Sequence, residues 1–217
     1  MSFSAELRQA ADGIWAAQHD HPFVRGIGDG TLDPERFRHY VRQDYLFLID
    51  YARLLALGCA RAPGLGELTR FAGLAHGVLT SELELHRSYA AEWNIPAGEL
   101  DAERPTPTTR AYTDFLLRTA ALGDYPELVA ALLPCMWGYH EVGVRLAEHG
   151  LPGNELYARW IREYAGDQFG GLAAWCRELT DAAAAAADRG RMTDAFLASS
   201  RHELAFWDAS WRLEQAM

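Results

Sequence analysis

A chain of 217 residues, 49% hydrophobic and 23% charged, carries enough apolar material for one domain, residues 1–217, with a sizeable buried core. Its 30 acidic and 20 basic residues leave a formal charge of −10 with no basic run, a field that repels phosphate backbones and argues against nucleic acid as a partner. All 20 basic residues are Arg, which excludes Schiff-base lysines, a pyridoxal-phosphate anchor and the P-loop lysine.

No apolar run approaches the roughly 20 residues of a membrane span. The start MSFSAELRQAADGIW reads as an amphipathic helix and not as a signal peptide, so a cytoplasmic protein without a membrane partner is expected. Cys59, Cys135 and Cys176 are odd in number and form no CxxC pair, which suggests free thiols, neither a disulfide framework nor a zinc site.

Helical spacing runs through the whole chain and strand alternation is missing, so an all-α fold is predicted. The first helix spans residues 3–19, and His19 and His21 before Pro22 read as helix-end chemistry. GIGDG, residues 26–30, lacks GxGxxG spacing and reads as a turn. Asp33-Pro34 opens a helix over 34–61, with Phe37, Tyr40, Asp44, Phe47 and Tyr51 on one face. A third helix over 65–93 places Phe71, Ala75, Glu82, His86 and Tyr89 together. Residues 95–107 read as the longest loop, followed by a helix over 108–121. A helix over 125–149 carries Leu128, Leu132, Cys135, Tyr139 and Val142 on one face and stops at Gly150 and Pro152. Helices over 153–165, 167–188 and 191–215 complete the chain. The alanine run at 182–187 suits helix, and the last helix aligns Phe196, Glu203, Phe206 and Ser210.

Polar groups on apolar faces are the informative feature, because burying them is costly unless they are hydrogen-bonded. Taken singly, a buried Cys is commonly an inert small hydrophobe, and Asp44 or Glu203 is an interior carboxylate satisfied by Arg or Tyr. The metal reading meets a spacing obstacle. Helical di-iron bundles use ExxH pairs, and none occurs: His86 follows Glu82 by four, and His140 adjoins Glu141, so those two cannot face one centre.

The segments HPFVRGIGDGTL from His21, RFRHYVRQDYLFL from Arg36, ALLPCMWGYHEVG from Ala131, YARWIREYAGDQF from Tyr157 and ELAFWD from Glu203 together resemble the TenA/thiaminase II family, essentially end to end. The resemblance implies a haem-oxygenase-like helical bundle without haem, assembled as a homotetramer, that hydrolyses aminopyrimidines released from degraded thiamin. It implies no metal and no organic cofactor. Cys135 matches the family nucleophile and Glu203 the acid paired with it. Asp44 matches the carboxylate for the aminopyrimidine edge, and Tyr112, Tyr139 and Tyr164 match pocket tyrosines. Phe206 matches an aromatic wall, and Glu82 falls where the family often has a supporting acid. Phe47 departs from the Tyr of well-known members and removes a hydroxyl. Two rivals remain open: an oxidase or metal-dependent enzyme of the same fold, such as relatives of the pyrroloquinoline-quinone synthase, and a non-catalytic pyrimidine-binding regulator. Cys135, with polar neighbours that Cys59 and Cys176 lack, is also expected to be the thiol alkylated first.

Overall fold

Asp33, Thr106, Asp124 and Asp188 each start a helix by accepting backbone N–H groups that the first turn leaves unpaired. At Asp124 the cap is reciprocal: its Oδ1 accepts from the Glu127 N–H at 2.9 Å, and Glu127 Oε2 accepts from the Asp124 N–H at 2.8 Å. Each such cap is worth about 1 kcal/mol. The computed structural model describes residues 1–216. Its helices are α1 Phe3–Ala10, α2 Asp12–His19, α3 Pro22–Asp29, α4 Pro34–Arg61, α5 Leu65–Gly77, α6 Leu83–Glu92 and α7 Ala97–Asp101. They continue as α8 Pro107–Leu122, α9 Tyr125–Leu133, α10 Tyr139–Glu148, α11 Glu155–Ala165, α12 Asp167–Ala183 and α13 Arg189–Arg212. The fold is all-α, and no strand occurs among the described residues.

Several boundaries differ from the sequence reading. The first predicted helix is two, interrupted at Ala11. The Gly-rich stretch is not a turn but α3, closed by Gly30 at φ 78°. Its glycines serve close approach: a Cβ on Gly28 would meet Leu146 Cδ2 at 2.7 Å, and one on Gly26 would meet the Leu32 backbone at 3.0 Å. His21 behaves as read, its Nδ1 capping α3 through the Phe23 N–H. The expected loop at 95–107 holds the short α7. The alanine run leaves the helix after Ala183, because Asp188 must cap α13, which begins two residues before the predicted start, and helix propensity is too weak a preference to resist that turn.

The long helices α4 and α13 form the frame. Around α4 pack α5, α6, α8 and α9, while α8, α9, α2 and α3 lean on α13. Two apolar cores result. One joins α4, α8, α9 and α12, with Phe47, Tyr51, Tyr112, Leu132 and Cys135 among its members. The other is an aromatic block of α3, α4, α11 and α13, including Phe23, Phe37, Tyr40, Trp160 and Trp207. Truncating a ring such as Trp207 would cost about 3–5 kcal/mol. The two cores meet where Phe47 packs against Phe206, at 6.0 Å between ring centroids, and the polar groups gather at that seam. No helix of the described residues is long and apolar enough to cross a membrane.

Candidate active site

The helices predicted over 65–93 and 125–149 are each interrupted by a π-helical turn that the spacing did not reveal, Val78–Glu82 and Pro134–Gly138. A π-turn inserts one residue into a helix and is frequently found at functional sites. Glu82 ends the first turn, and Cys135 is the second residue of the other. Both border one small cavity, which Asp44 and Phe47 of α4, Tyr139 of α10 and Tyr164 of α11 also line. Its volume of about 10 Å³ is room for about one water. A second cavity of about 300 Å³ opens beside it toward α5 and α12, and Tyr51, Glu82, Met136 and Phe169 border both.

Asp44, 3% exposed, sits in a ring of donors. Its Oδ2 accepts from the Tyr40 hydroxyl at 3.1 Å and from His86 Nε2–H at 2.7 Å. Tyr40 in turn accepts from Trp160 Nε1–H at 3.2 Å, which aims its own proton at Asp44. On the other ring nitrogen, His86 Nδ1 lies 2.9 Å from the Glu82 backbone carbonyl, an acceptor only, so this nitrogen carries a proton. Burial disfavours the charged imidazole, but the hydrogen bond and charge of Asp44 outweigh it, and the His86 pKa is raised. Asp44 Oδ1 has no hydrogen-bond partner among the described residues, which leaves one carboxylate oxygen for a ligand's donor.

Glu203 has a different setting. It is 2% exposed, and its Oε1 accepts from the Tyr112 hydroxyl at 2.6 Å, while that hydroxyl lies 3.1 Å from Ser199 Oγ. Burial is the main reason its pKa climbs to about 8; Tyr112 opposes the shift and the charge of Asp44 adds to it. No Arg offsets it. The Cys135 thiol is pushed well above its ordinary value, by burial first and then by the charges of Glu203, Glu82 and Asp44, while the Tyr51 hydroxyl beside it works the other way. Both groups are therefore neutral at neutral pH. Burial also raises Glu82, to about 7, with His86 and Tyr164 opposing; the Tyr164 hydroxyl donates to its Oε1 at 3.4 Å.

All of the sequence-derived candidates lie at the seam. Asp44, Phe47, Glu82, Cys135, Tyr139 and Tyr164 face the cavity itself. Tyr112 and Phe206 stand one ring back, packed on Phe47 at 4.9 and 6.0 Å, with Glu203 bonded to Tyr112. Cys135 is only 8% exposed and protonated, whereas Cys59 is the more exposed thiol, so the expectation that Cys135 alkylates first is corrected: Cys59 is the accessible one. The helical spacing puts His86, Tyr40 and Tyr51 on the same faces without marking them as site residues. The spacing Tyr40–Asp44 was the available signal, since a phenol one turn from a buried carboxylate can bond it. The pairing of Glu82 with His86 is through the Glu82 backbone carbonyl, not its carboxyl. Among the described residues no three His, Cys, Asp or Glu side chains are gathered as a metal-ligand set.

Residues 8–213 match the TENA/THI-4/PQQC family. The chain belongs to this family. It is 43% identical to the aminopyrimidine aminohydrolase of Halalkalibacterium halodurans over 217 residues, covering 97% of this chain and 96% of that protein. The aminopyrimidine aminohydrolase of Bacillus subtilis is 39% identical over 224 residues, covering 99% and 92% of the two chains. Among solved structures, a TenA homologue from P. horikoshii OT3 superposes with a TM-score of 0.93 at 30% identity, covering 98% of this chain and 99% of that one. A domain with a heme oxygenase-like fold from Shewanella denitrificans OS217, 15% identical with a TM-score of 0.73, shares the fold.

Proposed function

We propose that this member of the family is an aminopyrimidine aminohydrolase that converts 4-amino-5-aminomethyl-2-methylpyrimidine to its 5-hydroxymethyl analogue, and acts more slowly as a thiaminase on thiamin. Its role would be thiamin salvage, in the cytoplasm, by a single-domain chain assembled as a homotetramer and using no cofactor. The observation that carries the reading is the joint burial of Cys135, Glu203 and Asp44 at one seam, in a chain that matches proteins of that name nearly end to end.

The chemistry follows from the protonation states. A 5-methylene on an aromatic pyrimidine cannot expel its substituent until the ring is made electron-rich. With Cys135 and Glu203 both neutral, the thiol adds across the ring's C6–N1 double bond: sulfur bonds to carbon 6, Glu203 gives its proton to nitrogen 1, and Glu203 then takes the thiol's proton. No free thiolate need be stored in a buried site. The electron pair released toward C5 ejects the substituent, water adds to the exocyclic methylene, and loss of the ring proton with cleavage of the C–S bond restores thiol and aromatic ring. Asp44 accepts from the 4-amino group in a dry site where that bond is strong. Phe47 and Tyr139 flank the ring, with Phe206 supporting Phe47 from behind. A pyrimidine needs more than the 10 Å³ present, so binding displaces side chains, and Met136, unbranched and at the border with the larger cavity, is suited to move.

A steady-state assay comparing the aminomethyl pyrimidine with thiamin tests the reading. The expected result is turnover of both, with kcat/KM at least about tenfold higher for the aminomethyl compound, a difference of about 1.4 kcal/mol in transition-state binding. Tight binding without turnover would make the protein a pyrimidine-binding regulator and overturn the proposal.

A further inference from the structure

The mechanism above uses Cys135, Glu203 and Asp44 and leaves Glu82 without a task. Glu82 stands at the one place where the small cavity and the larger one share a wall, with Tyr51, Met136 and Phe169 as the other shared residues. Those three are apolar or weakly polar, so Glu82 is the carboxyl on the partition. Its position is held rather than incidental. It ends a π-turn, its backbone carbonyl anchors His86 Nδ1–H at 2.9 Å, and its Oε1 accepts from Tyr164 at 3.4 Å. The larger cavity, about 300 Å³ and mostly apolar, continues past it and also carries Ser81, Arg70, Glu163 and Gln168 on its wall.

We propose that Glu82 is the leaving-group residue: it holds the 5-ammoniomethyl group of the substrate and takes the proton of the water that replaces it, selecting an amine over a quaternary leaving group. The inference rests on the aminohydrolase reading above. Carbon 5 lies between carbon 4, whose amino group Asp44 holds, and carbon 6, which Cys135 attacks, so a 5-substituent points to the wall between these two residues, which Glu82 also lines. At that wall a primary ammonium offers three N–H donors to a carboxylate, a charge-assisted contact in surroundings that strengthen it. A half-buried carboxyl whose pKa is raised becomes ionised more readily when a cation docks beside it. His86, Asp44, Glu163 and Arg70 are the other charged or titratable groups around it, with Tyr164 as donor.

The steps balance as follows. After sulfur adds to carbon 6, the C–N bond of the –CH2–NH3+ group breaks with its electron pair on nitrogen, releasing NH3. Water from the larger cavity bonds through oxygen to the methylene, and its proton passes to Glu82. Glu82 returns that proton to NH3, which departs as NH4+ through the same cavity. Thiamin has no N–H on its leaving nitrogen and makes no such contact, so this residue contributes less to its cleavage.

The test is the ratio of two activities in one preparation. Water attack follows departure of the leaving group and is common to both substrates, so kcat/KM reports the ammonium contact: Glu82→Gln should lower it about 100-fold for the aminomethyl pyrimidine, the worth of a charge-assisted contact, and less than about tenfold for thiamin. Thiamin cleavage thus reports that the variant is folded and that Cys135 and Glu203 still work. Equal losses on both substrates in a folded variant would overturn the inference and leave the aminohydrolase reading intact; turnover of neither substrate by the wild type would instead overturn that reading. A second arm needs no variant. The wild type should process the primary aminomethyl substrate at least about tenfold faster than its trimethylammoniomethyl analogue, which is also cationic but offers no N–H donor. Equal rates would also overturn the inference.

Discussion

Asp44 and Glu203 are two carboxyls of nearly equal burial on the two framing helices, and their surroundings differ sharply. Around Asp44 the chain converges donors: Tyr40, itself supplied by Trp160, and the protonated ring of His86. Around Glu203 it supplies, among the described residues, a single hydrogen-bond donor, the Tyr112 phenol, and the carboxyl keeps its proton to about pH 8. Burial alone says nothing about a carboxyl's role; the number of donors aimed at it decides whether it acts as anion or as acid.

The largest expected effect is at Cys135. Cys135→Ser should abolish turnover with helical circular dichroism unchanged, since a hydroxyl is a far weaker nucleophile, and residual activity above about 1% would contradict covalent addition. Next is the acid. Glu203→Gln keeps shape and the Tyr112 contact but removes the transferable proton, so kcat should drop about 100-fold or more with little change in Kd. The anion should show the reverse pattern: Asp44→Asn is expected to weaken pyrimidine binding by about 1–3 kcal/mol, measured as Kd by calorimetry, and to loosen His86.

A smaller effect concerns stability. Glu203 has a folded pKa near 8 against an ordinary 4.5, so it binds its proton more tightly when folded. Its favourable contribution is complete below about pH 4.5 and is lost as pH rises through 8. The melting temperature should therefore fall between pH 7 and 9, by a few degrees for a chain of this size, and Glu203→Gln should flatten that slope; an unchanged slope would show that this carboxyl ionises at no cost. The smallest effect is expected of Phe47→Tyr, which adds a hydroxyl to the cavity wall. Phe47 already packs on Tyr51, Tyr112 and Phe206, and Tyr51 supplies a phenol beside the Cys135 thiol, so kcat/KM should change less than about threefold.

The same contrast explains what the sequence discloses. Helical period and caps such as Asp33-Pro34 and Asp124 are local chemistry, and they placed the long helices and put Asp44, Cys135 and Glu203 on buried faces. The Gly-rich α3 escaped because its glycines answer to Leu32 and Leu146, contacts that lie elsewhere in the chain. Both π-turns escaped because one inserted residue in a helix leaves no compositional mark. His86 was visible as a polar residue on an apolar face, but its bond to Asp44 spans 42 positions and appears only once α6 packs on α4.

The protonation state of Glu203 is the centre of this account, and difference infrared spectroscopy reads it without turnover. Spectra of the wild type minus those of Glu203→Gln, recorded from pH 6 to 10, should show a protonated-carboxyl C=O band at neutral pH that gives way to carboxylate with a midpoint near 8. A difference spectrum with only carboxylate bands at pH 6 to 7 would contradict the assignment of Glu203 as the proton donor.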